Sequence, residues 1–303
     1  MRASLIRNIY NIAEKDANLL LITGDLGFGF LDDFQSKLKD QFINAGIAEQ
    51  NLIGVATGLS LSGYISFCYS IGNFLSLRCL EQIRNDVSYH DANVKIVSVG
   101  GGFSYGPLGV SHHCLEDLAI MRAIPNLSVA VPGSKNEARE IARIAYQEKG
   151  PFYIRLEREG FEEEEIAEMV FGKIRPLSNK GEIAILGCGG ILGELFKAKQ
   201  ILERKQPVSL YSIPFLRPFD EAFIRQLAME KKYIITVEEG LISGGLGGSV
   251  CEVVSQMDSR KAKVSNIGVP HQFCYEVGDQ MHLRKKYGLD ANSLAQQIMN
   301  IIS

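Results

Sequence analysis

The stretch Asn44-Ala45-Gly46-Ile47-Ala48-Glu49-Gln50-Asn51 lies between an apolar strand candidate at residues 19–22 and a helix candidate rich in small residues at 52–61. An acidic residue at the start of a helix can contribute to N-terminal capping. It can also lie in a dry site, where burial changes its acid–base behaviour. The local sequence leaves both interpretations of Glu49 open.

Apolar runs alternate with segments of helical period along the chain, which is the pattern of parallel sheets covered by helices. Runs such as Ile234-Ile235-Thr236-Val237 lack polar alternation, as expected for strands buried on both faces. Ser134 and Glu137 have the spacing of a capping box at the start of one predicted helix. The predicted strands are 19–22, 65–69, 95–99, 128–131, 152–156, 182–186, 208–213, 233–237 and 264–267, and the predicted helices are 52–61, 74–88, 115–123, 135–148, 192–204, 221–231, 247–257, 278–286 and 291–301.

Residues 157–181 interrupt this alternation with an acidic run at 162–165, a proline and a glycine. We therefore expect an α/β protein with two three-layer domains, each a mainly parallel sheet flanked by helices. The first domain is predicted over 1–160, a linker over 161–180, and the second domain over 181–303. The chain length of 303 residues agrees with two domains of about 150 residues each.

Composition excludes several classes of function. The net charge is −3 without a Lys/Arg-rich block, so we expect no nucleic-acid partner. No apolar run approaches the roughly 18 residues of a transmembrane helix. The six cysteines form no Cys-x-x-Cys pair, so neither a disulfide framework nor a zinc site is expected. These features predict a cytoplasmic protein.

An ordered set of motifs extends along nearly the whole chain. The set resembles the transketolase family of thiamine-diphosphate enzymes, and especially its pyrimidine-binding and C-terminal domains. The matching segments are Gly46–Asn51, Arg78-Cys79-Leu80-Glu81-Gln82-Ile83-Arg84, Ser111-His112-His113 followed by Glu116-Asp117-Leu118-Ala119, Gly150-Pro151-Phe152-Tyr153-Ile154-Arg155-Leu156, and Val237-Glu238-Glu239-Gly240 with Gly244-Gly245-Leu246-Gly247. Their common order is more specific than any one motif.

The resemblance implies that thiamine diphosphate is the cofactor and that Glu49 is the catalytic glutamate, which hydrogen-bonds N1′ of the aminopyrimidine ring. The family also packs this ring on an aromatic residue about twenty positions later. Counting from Glu49 reaches Ile71, with Tyr69 two residues earlier, and the sequence does not decide which of them contacts the cofactor. Phe67 and Phe74 are expected to be core residues.

The resemblance also implies that His112 is a catalytic and substrate-binding histidine. Arg158, or alternatively Arg155, matches the arginine that binds the sugar phosphate. Two positions depart from the family, because Gly100 replaces a histidine and Leu108 replaces an aspartate that contacts the donor substrate. We therefore expect two-carbon ketol transfer with an altered donor or acceptor, such as a modified or branched sugar.

The family's Gly-Asp-Gly…Asn motif, which binds Mg²⁺ and the diphosphate, has no convincing counterpart here. Gly24-Asp25-Leu26-Gly27 approximates its first part only, so we expect no metal site in this chain. The resemblance then implies the C-terminal subunit of a split transketolase, whose separate N-terminal partner supplies the Mg²⁺ ligands in a heterotetramer. The alternatives are a subunit similar to deoxyxylulose-phosphate synthase or to the 2-oxo acid dehydrogenase β subunit, and a non-catalytic supporting subunit.

Overall fold

The computed structural model describes residues 1–158 and 160–303. Its strands, in chain order, are β1 Leu19–Thr23, β2 Phe42–Asn44, β3 Ile65–Ile71, β4 Val94–Val99, β5 Ser128–Ala130, β6 Phe152–Leu156, β7 Arg175–Ser178, β8 Ile183–Cys188, β9 Ser209–Ser212, β10 Phe215–Arg217, β11 Tyr233–Leu241 and β12 Lys263–Val269.

The helices cover both faces of the sheets formed by these strands. They are α1 Arg2–Ala13, α2 Asp32–Lys37, α3 Glu49–Leu61, α4 Gly72–Ser76, α5 Leu80–Gln82, α6 Asp117–Arg122, α7 Lys135–Gln147, α8 Leu192–Leu202, α9 Glu221–Glu230, α10 Leu246–Ser255, α11 Gln280–Lys286 and α12 Ala291–Ile302, with a π-helical segment at Ile83–Ser88 and 3-10 turns at Lys39–Gln41, Gly106–Leu108 and Gly189–Ile191. Within the part of the chain that the structure describes, no helix is both long and apolar enough to cross a membrane.

The strands form a seven-stranded sheet in the order β10-β5-β6-β4-β3-β1-β2 and a five-stranded sheet in the order β12-β11-β8-β9-β7. Neighbouring strands are parallel except at one edge of each sheet, where β10 and β7 are antiparallel to β5 and β9. These two α/β layers confirm the predicted fold class. Strand β7 lies inside the stretch predicted as a linker and belongs to the second sheet.

Strand β10 comes from the second half of the chain but completes the sheet of the first half. Phe215 pairs with Ala130 and Arg217 with Val129. The Phe215 side chain is 2% exposed and lies in the same core cluster as residues of α1, α7 and β6. The two halves therefore share one sheet in addition to the surface between them.

The structure differs from the sequence prediction mainly in short elements. The predicted helix 74–88 is divided into α4, α5 and the π-helical segment, while β2, β7 and β10 were not predicted. The predicted cap of α7 is confirmed, because the Ser134 hydroxyl accepts a hydrogen bond of 3.0 Å from the Glu137 amide. The Glu137 carboxylate, however, accepts from the Gly133 amide at 2.7 Å instead of from Ser134.

Parallel pairing places the carboxyl ends of β1, β3, β4 and β6 at one edge of the first sheet. Ligands of open α/β sheets bind at this edge, where the loops that follow the strands meet. Here the residues that directly follow these strands are Gly24, Gly72, Gly100 and Glu157.

Candidate active site

Glu49 is the first residue of α3, and its side chain is 2% exposed. Its carboxylate does not cap the helix but accepts hydrogen bonds from the Ser70 hydroxyl at 3.3 Å and from the Arg78 guanidinium at 2.6 Å. A carboxylate in the first helical turn is also favoured by the helix dipole. The geometry thus removes the capping interpretation and leaves a nearly buried acid beside a strand end.

Arg78 and Phe74 extend the site outward from this acid. The Arg78 side chain is 48% exposed, and its guanidinium carbon lies 4.5 Å from the centre of the Phe74 ring. Phe74 lies in α4 and is only half-buried, which corrects the expectation that it is a core residue. An accessible aromatic ring next to the Glu49–Arg78 pair is a candidate surface for a flat ligand ring. The available sequence signal was the spacing of four residues between Phe74 and Arg78, although Arg78 lies beyond the end of α4.

His112 also contacts Phe74, with 5.2 Å between the two ring centres. Its Nδ1 lies 2.9 Å from the Ser111 hydroxyl, and partial burial followed by the charge of His113 lowers its pKa. The Asn73 side-chain amide holds this loop, donating to the carbonyl groups of Val110 at 3.3 Å and His113 at 2.5 Å. The α4 region therefore connects the Glu49 end of the site to His112.

Arg158 lines a cavity of about 610 Å³ at the carboxyl ends of β4 and β6. The cavity is also lined by Arg2, Gly100, Tyr105 and Glu157. Arg158 is exposed, so its guanidinium is available to an anionic group. The Tyr105 ring lies edge-on to His112 at a centre-to-centre distance of 6.1 Å, which connects this cavity to the histidine loop.

Arg155, the alternative phosphate-binding residue, lies in the interior. It is 1% exposed, its guanidinium donates to the Glu239 carbonyl at 2.6 Å, and it pairs with Asp117 at 3.5 Å and Glu157 at 3.4 Å. Arg284, from α11 of the second half, pairs with Glu239 as well. Because these partners enclose Arg155, it holds the two halves together and is not accessible to a substrate.

Tyr69 does not contact the Glu49 side of the sheet. Side chains alternate along β3, and the bond from Ser70 to Glu49 shows which face of the strand the site occupies. Tyr69 is 0% exposed and packs in the opposite core against residues such as Phe34 and Val99. This corrects the prediction that Tyr69 packs on the cofactor. Ile71 shares the face of Tyr69 by the same alternation, but it is half-buried at the end of the strand, and its contact with a cofactor stays a prediction.

The two departures from the family pattern lie in different places. Gly100 lines the cavity of Arg158, whereas Leu108 is 56% exposed and lines a second cavity with Val110, Tyr275 and Val277. The side chain of Leu108 therefore belongs to an apolar surface beside the histidine loop. Of the two positions, only Gly100 lines the same cavity as Arg158.

Two family models match this chain. Residues 1–162 match the transketolase pyrimidine-binding domain, and residues 172–294 match the transketolase C-terminal domain. A "Putative transketolase C-terminal section" from Methanocaldococcus jannaschii is 36% identical over 99% of this chain and 95% of its own length. One of the subunits of an apulose-4-phosphate transketolase, from Actinobacillus succinogenes, is 34% identical over 88% of this chain and 87% of its own length.

A solved structure gives the same picture at the level of the fold. It is described as "Split gene transketolase, inactive beta4 tetramer" and superposes with a TM-score of 0.87 at 30% sequence identity. The superposition covers 99% of this chain and 96% of that one.

Proposed function

This chain belongs to the transketolase family, and we propose that it is the pyrimidine-binding subunit of a two-chain enzyme that transfers a two-carbon ketol unit between sugar phosphates with thiamine diphosphate. The observation that carries the proposal is the nearly buried carboxylate of Glu49 with the accessible Phe74 ring beside it. Bound thiamine diphosphate supplies the nucleophilic carbon that ketol transfer requires.

The residues around Glu49 fit the aminopyrimidine ring of that cofactor. A carboxyl group can share a proton with the ring nitrogen N1′, and the low exposure of Glu49 keeps water from competing for that hydrogen bond. Phe74 offers an aromatic face near the carboxylate, and Ile71 lies at the adjacent strand end. Arg78 now bonds the oxygen Oε2 of Glu49, so its half-exposed side chain must share this carboxylate or move when N1′ binds.

His112 and Arg158 are proposed as the substrate-binding residues. A histidine whose pKa is lowered by burial is neutral near pH 7, so it can accept a proton from a substrate hydroxyl or donate a hydrogen bond to it. The exposed guanidinium of Arg158 can bind a phosphate group through two parallel hydrogen bonds. The cavity that Arg158 lines, about 610 Å³, has room for a sugar phosphate, and Tyr105, which also lines it, contacts His112.

A separate chain is proposed to bind the diphosphate and Mg²⁺. The matches to this chain cover the pyrimidine-binding and C-terminal domains, and two of its relatives are named as a C-terminal section and as one subunit of a transketolase. The solved split-gene relative, described as an inactive tetramer, supports the expectation that such a chain needs a partner. We propose a heterotetramer with two-fold symmetry. The apulose-4-phosphate relative supports a phosphorylated, branched sugar as one substrate.

The test is reconstitution of this chain with a separately produced diphosphate-binding transketolase chain. Ketol transfer is measured from a panel of ketose phosphates, including a branched one, to aldose phosphates. We expect activity only when both chains are present, with a mass that corresponds to two copies of each. Activity of this chain alone, or formation of deoxyxylulose phosphate from pyruvate without ketol transfer, would contradict the proposal.

A further inference from the structure

Tyr105 is a polar residue in the proposed substrate cavity to which the proposed function assigns no role. It lies in the loop after β4, it is half-buried, and it lines the same cavity as Arg158. Its ring also contacts His112 edge-on, with 6.1 Å between the ring centres and an angle of 80° between the ring planes. Tyr105 is therefore adjacent to both of the proposed substrate-binding residues.

The hydroxyl of Tyr105 is available for a ligand. The hydrogen bonds that fix this loop use Ser104, Ser111, His112 and His113, and they leave the Tyr105 hydroxyl without a partner within residues 1–158 and 160–303. A phenol can donate one hydrogen bond and accept others, so it can recognise a substrate hydroxyl.

The position of the Tyr105 ring leaves no space for a side chain at residue 100, so this residue must be glycine. The backbone φ of Gly100 is +94°, a conformation that favours glycine, and a Cβ placed on it would overlap Cδ2 and Cε2 of the Tyr105 ring. The ring therefore occupies the space that a side chain at position 100 would fill. This explains physically why the sequence departs from the family pattern at residue 100.

The loop holds Tyr105 in a fixed place relative to Arg158. The Ser104 hydroxyl donates to the Gly101 carbonyl at 2.7 Å and accepts from the Arg158 backbone amide at 3.2 Å. The Leu108 amide donates to the Tyr105 carbonyl at 2.9 Å. Because these bonds are local and short, the phenol needs no loop rearrangement to contact a ligand, which favours selective recognition.

A second guanidinium group lines the same cavity. Arg2 lines the cavity together with Arg158. The cavity thus combines two guanidinium groups, which suit a phosphate, with the phenol of Tyr105, which suits a sugar hydroxyl.

We propose that Tyr105 determines substrate specificity by hydrogen-bonding the C4 hydroxyl of a straight-chain ketose 5-phosphate whose phosphate group is bound by Arg158. The C4 hydroxyl lies between the reacting carbons, next to His112, and the phosphate end of such a substrate. The inference rests on the proposed function and names the residue that recognises the sugar at that same site.

The experiment uses the reconstituted two-chain enzyme with the wild type and with Tyr105→Phe, which removes only the hydroxyl. Each is assayed with the best straight-chain ketose 5-phosphate donor of the panel and with the 4-deoxy analogue of that donor. Loss of one neutral hydrogen bond should lower kcat/KM for the hydroxylated donor by roughly 2- to 10-fold. The kcat/KM for the 4-deoxy donor should not change. Tyr89→Phe, at a tyrosine that is 81% exposed, is the matched control and should change neither value.

Gly100→Ala provides a second variant, because the added methyl group displaces the Tyr105 ring but keeps its hydroxyl. It should lose the same discrimination between the two donors, and thermal unfolding of the complex separates this effect from loss of folding. Equal changes for both donors in Tyr105→Phe, or no change, would overturn the inference about Tyr105. A wild-type complex that transfers ketol units from none of the donors would instead overturn the proposed function, and this inference with it.

Discussion

Replacing Glu49 by glutamine should separate catalysis from stability. Glutamine keeps the size of the side chain, and its oxygen can still accept from Ser70 and Arg78. The lost ion pair is screened, because the Arg78 side chain is 48% exposed. We therefore expect a stability loss of about 1 kcal/mol, which for a chain of this length lowers Tm by about 2 °C. Turnover should fall by about 100-fold or more, since a neutral amide cannot share a proton with N1′.

The assay measures three quantities on the reconstituted complex: Tm, ketol-transfer turnover, and hydrogen–deuterium exchange at C2 of thiamine diphosphate. Glu164→Gln is the control, because Glu164 is exposed and its carboxylate forms no ion pair among the described residues. Exchange and turnover at wild-type rates in Glu49→Gln would refute the reasoning and favour a supporting subunit without a catalytic role. A Tm fall of more than about 6 °C would show that Glu49 is mainly structural.

Three further predictions follow from the site and the core. In calorimetry, the isolated chain should bind thiamine diphosphate and Mg²⁺ weakly at micromolar concentration, and tight binding would contradict a site shared with a partner. Phe74→Leu should raise the KM for the cofactor by roughly 2- to 10-fold, whereas Phe273→Leu, at an exposed phenylalanine, should not. Burial lowers the pKa of Lys95 to about 7, so between this value and the ordinary lysine pKa the unfolded chain binds more protons and stability should rise with pH. Urea unfolding at pH 7 and 9 should show this rise in the wild type and in Lys149→Met, but not in Lys95→Met.

The sequence predicted those strands and helices that have a recognisable pattern of apolar and polar residues of their own. Strands such as β3 and β8 are apolar runs, and α7 shows both a cap and an amphipathic face, so local patterns were enough. Strands β2 and β10 have three residues each, too few for a period to be recognised. They are strands only because strands from distant parts of the chain pair with them. The residues of a short segment alone do not indicate that such a pairing strand exists.

The site was predictable to the extent that a motif names a residue. The motifs named Glu49, His112 and Arg158, which follow β2, β4 and β6 in the chain, and the roles of these residues stay predictions. Gap-free counting from Glu49 reached Ile71, with Tyr69 two residues earlier as the alternative, and the structure places the Tyr69 side chain in the core on the other face of β3. The Glu49–Arg78 pair, and the exclusion of a side chain at Gly100 by Tyr105, are contacts in space that sequence spacing does not encode.

The shared sheet also limits how the two halves of this chain can be exchanged with those of relatives. Phe215 of β10 packs edge-on against Phe171 at 5.4 Å, and Phe171 stacks on Phe152 of β6 at 5.8 Å. A chimera joined between the halves would place a foreign strand and a foreign ring into this packing. A fragment that ended before β10 would leave the edge of β5 open, and open edges pair with other chains and aggregate. The halves are therefore expected to change together in evolution, as one inherited unit.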